Sequence, residues 1–361
     1  MNHSPNSPKT RLAFLDWSRG LAALVMLQGH VFHSFTAADA RQSGPYILTQ
    51  FVGGMPPAIF LFLTGITLGF LMDARERQGD GPWTRVWVAM RRAGYLLGLA
   101  FLFRLQLWIF GLPAPWKDLF RVDILNSMGL AIAVMSLMAV FRTAERVRLC
   151  AVLGLGIAVA SPVVSSIDWS GVPWIVRNYI VPDSLFFGFF PWAAFVAFGI
   201  SGGSVLRLTP GDQTNRLMQW TALAGFGLIL AGQYFSNLPY SLYTQSDFWL
   251  NGPMLVLIKL GAILLLLAVA FLWTSHGAGT SASWVRLLGT NSLLVYWVHT
   301  ELVYGRWLWF WKEDLGIGAT AVCAVAVVLV MIGLARVKTR WNDIRPMLPL
   351  PQYQQARVSG D

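Results

Sequence analysis

The chain has 361 residues, of which 55% are hydrophobic and only 12% are charged, whereas an ordinary soluble domain carries about 25% charged residues. This composition argues against a soluble globular protein, and the long apolar runs predict helices that cross a membrane. The net charge is +10, but most Lys and Arg stand in one set of alternating loops, which indicates membrane topology rather than a nucleic-acid partner.

Apolar runs of about 20 residues predict an all-α polytopic membrane bundle of about ten transmembrane helices. They lie near residues 13–35, 50–72, 92–112, 122–141, 149–166, 185–206, 217–236, 253–273, 288–310 and 318–337. The basic loops place both termini in the cytoplasm. We therefore expect a cytoplasmic N-terminal tail at 1–12, a transmembrane domain at 13–337 and a cytoplasmic C-terminal tail at 338–361. The first run contains Asp16 and Arg19 and lacks a plain signal-peptide core, so no cleavage is expected.

The first predicted span carries four polar side chains on one face. At 100° per residue, Asp16, Arg19, His30 and His33 fall within a sector of about 100°. The axial rise from Arg19 to His30 is about 16 Å, half the thickness of the hydrocarbon core. With the N-terminus inside, Arg19 lies towards the cytoplasm and His30 towards the outer half. Ionisable residues within a membrane mark a functional site by default, although a stripe that only packs against neighbouring helices is the alternative.

The third and fourth spans add polar groups of their own. Arg104 stands in mid-span, where an unpaired cation is costly, so it should face the bundle interior and pair with Asp16, Asp123 or a ligand phosphate. Asp123 and Asn126 share a helix face. Their position near the outer end of the fourth span leaves a helix-start role open for Asp123.

The eighth and ninth spans complete the polar set. Lys259 can snorkel or help to hold an anionic donor near the inner side. Ser292, Tyr296 and His299 cluster within about 60° on the ninth span. An intramembrane histidine is often satisfied by a neighbour, so a site role and a structural role are both open for His299.

Several common catalytic motifs are absent from the sequence. There is no Walker A sequence, no dinucleotide-binding fingerprint, no HExxH pair and no GxSxG elbow. ATP-driven transport and zinc hydrolysis are therefore disfavoured. Cys150 and Cys323 stand in apolar runs and are expected to be buried hydrophobes rather than a disulfide or metal pair. No metal is expected.

Several segments resemble a known superfamily. LDWSRGLAALVMLQGH (15–30), with Arg19 and His30 separated by ten residues, resembles the first-helix signature of transmembrane acyltransferases. PPAIFLFLTGITLGFLMD (56–73), VDILNSMGLAIA (122–133) and FGFFPWAAFVAFGISGG (187–203) are most similar to the catalytic domain of the heparan-alpha-glucosaminide N-acetyltransferase type. LLGTNSLLVYWVH (287–299) is similar to a late-helix motif that is shared more widely in the superfamily, which also includes acyltransferase family 3. Many relatives carry an acid before the first-helix histidine, where this chain has Gly29.

The resemblance implies transfer of an acyl group, most simply acetyl, from cytoplasmic acyl-CoA to a sugar hydroxyl or amine on the outer side. A polyanionic donor requires cations, and an imidazole can take the acceptor's proton or carry the acyl group. The candidates for the proton acceptor are His30, His33 and His299; those for donor binding are Arg19, Asp16, Arg104 and Lys259; those for acceptor binding are Asp123, Asn126 and Tyr296.

Two other functions stay open at this point. A secondary transporter can use the same stripe as a proton or anion relay, although the sequence contains no detectable inverted repeat. A scaffold or lipid-handling subunit without catalysis is the third possibility. The expected location is a bacterial inner membrane, with membrane lipids, acyl-CoA and a glycan or amino sugar as partners. A homodimer stays open.

Overall fold

The computed structural model describes residues 12–276 and 283–344. The predicted N-terminal tail, apart from Leu12, and most of the predicted C-terminal tail lie outside the described residues. Within these ranges the chain is helical and has no strand. The thirteen α-helices described are α1 (Ala13–Phe35), α2 (Gly44–Gly53), α3 (Pro56–Arg77), α4 (Pro82–Phe110), α5 (Ile124–Met135), α6 (Thr143–Ser166), α7 (Trp174–Ile180), α8 (Phe189–Leu208), α9 (Thr214–Ser236), α10 (Pro253–His276), α11 (Trp284–Thr290), α12 (Ser292–Tyr304) and α13 (Ile317–Ile344).

The two ends of the bundle differ in composition. One end, the basic end, holds the short connections 78–81, 141–142 and 209–213, next to Arg75, Arg77, Arg142 and Arg207. The opposite end, the aromatic end, holds the longer connections 36–43, 111–123, 167–188, 237–252 and 305–316. In the described part of the chain the helices make ten passes between these ends, and α2–α3 and α11–α12 each share one pass.

Seven helical stretches of the described residues are long and apolar enough to cross a membrane. They take in α2–α3, α4, α5 with its flanking turns, α6, α8, α10 and most of α13. The prediction of an all-α polytopic membrane bundle is therefore confirmed. The remaining passes, α1, α9 and α11–α12, contain more polar residues. Their insertion, and the cytoplasmic position of the basic end, stay predictions.

Two predicted spans are interrupted, and others have shifted boundaries. The second pass breaks at Gly54, because Pro56 and Pro57 supply no backbone N–H and begin a new helix. The ninth breaks at Asn291, whose side-chain Nδ2 donates to the Leu287 carbonyl. Helix α4 begins at Pro82, ten residues before the predicted boundary at 92. Helix α13 continues to residue 344, past the predicted start of the C-terminal tail at 338, and the domain boundaries stay predictions.

Glycines bring the helices into close contact. Close packing of this kind stabilises helix association within lipid, because lipid provides no hydrophobic driving force between helices. A Cβ on Gly199 of α8 would lie 2.1 Å from the Phe62 carbonyl oxygen of α3, and one on Gly65 would lie 2.2 Å from the Val196 oxygen. Helix α1 is packed just as tightly against α11, since a Cβ on Gly289 would lie 1.9 Å from the Asp16 oxygen. The backbone of α1 is thereby held against α11.

A buried ionic network ties four helices together at the basic end. Arg146 of α6 is fully buried, and its Nη2 lies 3.1 Å from Glu76 Oε2 of α3. Asp73 of α3 lies 2.9 Å from Arg207 Nε of α8 and accepts from Thr143 Oγ1 at 3.1 Å. Arg85 of α4 lies 3.5 Å from the same Glu76 carboxylate. These arginines of the basic end join α3, α4, α6 and α8.

Candidate active site

A partly open cavity of about 470 Å³ lies between α1, α3, α4, α5 and the broken pair α11–α12. Its basic half is lined by Arg19, Arg92, Thr67 and Thr290, and its aromatic half by His30 and Tyr296. Apolar side chains line the middle, among them Met26, Phe60, Leu96, Met128 and Leu293. The cavity therefore joins a cationic mouth to a histidine across an apolar passage.

Two arginines form the cationic mouth. Arg19 Nη1 lies 3.3 Å from Asp16 Oδ1 one turn earlier, and its Nη2 donates to the Leu63 carbonyl at 3.5 Å. Asp16 is 1% exposed and holds the guanidinium of Arg19. Arg92 Nη2 donates to Thr67 Oγ1 at 3.4 Å.

Arg92 was missed in the sequence because it stood at the predicted start of a span, where a basic residue reads as a topology signal. In the structure it lies ten residues inside α4, about 15 Å along the helix from Pro82. The adjacent arginine, Arg91, is exposed. The sequence signal that could have indicated Arg92 is the Arg91–Arg92 pair, because two adjacent residues of a helix face different directions and one of them can face inward.

His30 pairs with a second histidine from the far end of the chain. His30 Nδ1 lies 2.9 Å from His299 Nε2, and the two rings are nearly parallel, with centroids 5.1 Å apart and an interplanar angle of 20°. His299 is fully buried, and its Nδ1 lies 2.6 Å from the Val295 carbonyl oxygen. Tyr296, as the clustering on the ninth span predicted, lies beside His299 and lines the cavity. The structure thus brings together two of the three predicted histidines.

His33 lies at the exposed surface of the aromatic end. Its Nδ1 is 3.3 Å from Tyr304 Oη, and the Tyr304 ring lies 5.2 Å from the ring of His30. His33 is not among the residues that line the cavity. The position before His30 is Gly29. A Cβ there would lie 3.2 Å from Gly53 Cα of α2, so no larger side chain fits unless α2 moves.

Asp123 and Asn126 form a helix cap. Asp123 Oδ1 accepts from the backbone N–H of Leu125 at 3.0 Å and of Asn126 at 3.3 Å, and Asn126 Oδ1 accepts from the Asp123 N–H. The helix-start role left open for Asp123 is therefore confirmed. Asn126 Nδ2 also donates to Tyr179 Oη at 3.0 Å. Burial raises the pKa of the Tyr179 phenol, although this hydrogen bond opposes the shift.

Arg104 and Lys259 lie in the half of the bundle near the aromatic end. Arg104 donates through Nε and Nη2 to the Asp118 carbonyl in the connection after α4. It lies about 18 Å along α4 from Arg92, and its role in donor binding stays a prediction. Lys259 lies six residues into α10, about 9 Å from its start at the aromatic end. Its Nζ is 5.1 Å from the ring centroid of Trp192. Lys259 therefore lies nearer the aromatic end than the basic end, because α10 begins at the aromatic end, and its role in donor binding stays a prediction.

The chain matches one family model. The model, described as heparan-alpha-glucosaminide N-acetyltransferase, catalytic, matches residues 11–235, which is more than half of the chain. The matched region includes Arg19, His30 and Arg92, whereas Tyr296 and His299 lie beyond it. No curated protein matches the chain.

Proposed function

Because the chain belongs to the family of the heparan-alpha-glucosaminide N-acetyltransferase catalytic domain, we propose that it transfers an acetyl group from acetyl-CoA to a sugar hydroxyl or amine. The donor enters at the basic end and the acceptor at the aromatic end. The observation that carries this proposal is the single cavity that joins Arg19 and Arg92 to His30.

The length of this passage suits the donor. In extended coenzyme A, about twelve bonds separate the phosphate oxygen from the sulfur, and each advances about 1.2 Å, which gives about 15 Å. The axial rise between Arg19 and His30 is about 16 Å. A diphosphate held at Arg19 therefore places the thioester beside His30.

The side chains along the passage suit the same donor. Guanidinium groups bind phosphate oxygens through paired, charge-assisted hydrogen bonds, which is the role we assign to Arg19 and Arg92. The Thr64 and Thr67 hydroxyls lie along the passage, where the amides of the pantetheine arm would run. The nucleotide stays outside, at the basic mouth.

His30 acts as the general base in this mechanism. One imidazole nitrogen takes the proton of the acceptor O–H or N–H as that atom attacks the thioester carbon. The tetrahedral intermediate then collapses, the carbon–sulfur bond breaks, and the imidazolium returns the proton to the departing thiolate. The products are the acetylated acceptor and free coenzyme A. If the basic end faces the cytoplasm, as its charges predict, the acetyl group crosses the bundle.

A transporter is the second candidate. Discontinuous helices beside a central cavity are common in secondary transporters, and α2–α3 and α11–α12 have that form. The family favours acetyl transfer over this function.

Acetyl transfer is tested with the purified protein in detergent or nanodiscs. Radiolabelled acetyl-CoA is offered with a panel of amino sugars and neutral sugars, and the acetylated product is separated and counted. We expect product with the unaltered chain and a loss of at least about 100-fold in kcat with His30→Gln, which removes the base. His33→Gln, the matched control one turn away, should stay within about threefold. Equal turnover by both variants would rule out His30 as the base.

A further inference from the structure

The hydrogen bonds around His299 determine which of its ring nitrogens carries the proton. Its Nδ1 faces the Val295 carbonyl oxygen at 2.6 Å. A carbonyl oxygen can only accept, so Nδ1 must be the nitrogen that bears hydrogen. In a neutral ring Nε2 then has a lone pair and accepts.

The same argument extends to His30. Its Nδ1 lies 2.9 Å from that accepting Nε2, so His30 Nδ1 must donate. The proton of His30 is thereby held on Nδ1, and Nε2 keeps its lone pair. Because Nδ1 is occupied by His299, Nε2 is the nitrogen of His30 left to meet a ligand in the cavity.

We propose, resting on the function proposed above, that His299 is a positioning residue that holds His30 in the tautomer and orientation of a base at Nε2. In many enzymes a carboxylate orients the catalytic imidazole through its Nδ1–H. Here a neutral imidazole takes that place, and its own acceptor is the carbonyl of Val295.

Burial and a hydrogen bond between α1 and α12 hold the two histidines in place. His299 is fully buried on α12, and Ser34 Oγ of α1 donates to the Val303 carbonyl of α12 at 2.9 Å, one turn beyond the pair. The one carboxylate on α12, Glu301, is engaged elsewhere, because its Oε1 accepts from Trp307 Nε1 at 3.1 Å. Tyr304 of α12 contacts His30 only through its ring, and the imidazole of His299 is the group of this helix within hydrogen-bond distance of His30.

Proton transfer at His30 is balanced without a further reactant. His30 Nε2 gains the acceptor's proton as the new bond to the acyl carbon forms, and gives it to the thiolate as the carbon–sulfur bond breaks. His30 Nδ1–H and His299 Nδ1–H stay in place throughout. His299 thus exchanges no proton with a substrate.

Two variants of His299 separate positioning from mere packing. His299→Gln places an amide oxygen near the position of Nε2, whereas His299→Phe keeps the ring and removes the acceptor. We expect kcat to fall by about 100-fold or more in the phenylalanine variant, with KM for acetyl-CoA within about threefold, and the glutamine variant to stay within about tenfold of the unaltered chain. Equal kcat values for the two variants would overturn the proposal.

The tautomers can be measured without any variant of His299. The chain contains five histidines, so ¹⁵N-histidine labelling and solid-state NMR in lipid give few resonances. The two ring-nitrogen signals of His30 are assigned by their loss in the His30→Gln variant. We expect both His30 and His299 to be neutral with hydrogen on Nδ1. Hydrogen on Nε2 of His30 would overturn the proposal even if acetyl transfer is confirmed. Absence of acetyl transfer would instead refute the proposed function and leave the tautomer result intact.

Discussion

Replacing Arg92 by glutamine tests the cationic mouth. Arg92 lines the cavity and donates to Thr67 Oγ1, and its neighbour Arg91 is exposed. A hydrogen bond to a charged group contributes about 1.5–3 kcal/mol, so Arg92→Gln should raise the Kd for coenzyme A by about 10- to 150-fold. Arg91→Gln is the control, because it removes the same charge from the same turn of α4. It measures the long-range attraction between the protein and the phosphates of coenzyme A, and it should change Kd by less than about threefold.

The assay is equilibrium binding of labelled coenzyme A to protein in nanodiscs, at a fixed salt concentration near 0.15 M because screening weakens exposed charges. Acetyl-pantetheine, which lacks the nucleotide and its phosphates, supplies the second arm of the experiment. Its affinity should be equal in the Arg92 and Arg91 variants. An equal loss for both ligands would mean that Arg92 shapes the cavity rather than binding phosphate, and no loss for either would refute its role.

Two further predictions concern the packing. Gly289→Ala should lower the free energy of unfolding by about 1–3 kcal/mol, because its Cβ would overlap the Asp16 oxygen. The control is Gly94→Ala, whose Cβ would meet nothing within 4 Å and which should leave the thermal unfolding midpoint nearly unchanged. Equal shifts in the two midpoints would refute the tight α1–α11 contact. Arg146→Gln should cost about 3–5 kcal/mol, because it breaks a buried ion pair. The exposed Arg148→Gln is its control, and the two midpoints must differ if the basic-end network stabilises the fold.

The local part of the site was predictable from the sequence. The stripe of Arg19 and His30 follows from helix periodicity alone, and α1 places both residues in the cavity. The ionic contact between Asp16 and Arg19 follows from a spacing of three residues. The capping role of Asp123 is local as well. These features need only the geometry of one helix.

The remainder depends on contacts between distant parts of the chain. His30 and His299 are 269 residues apart, and nothing in either helix alone indicates that they meet. Arg92 was missed because α4 begins earlier than the apolar run, since a helix can extend beyond the hydrocarbon core. The position of Lys259 near the aromatic end depends on the direction of α10, which begins there. Composition reveals which residues are costly in a membrane, but not their partners.

The central claim is that donor and acceptor enter at opposite ends of one cavity and meet at His30. The most direct test reconstitutes the chain in sealed vesicles, with orientation determined by protease access to the C-terminal tail. Acetyl-CoA is added outside, and the sugar acceptor that gives the most product in detergent is trapped within. We predict acetylated sugar inside the vesicles whose basic ends face out, and none with His30→Gln. Product that forms only when donor and acceptor share one compartment would contradict transfer through the bundle.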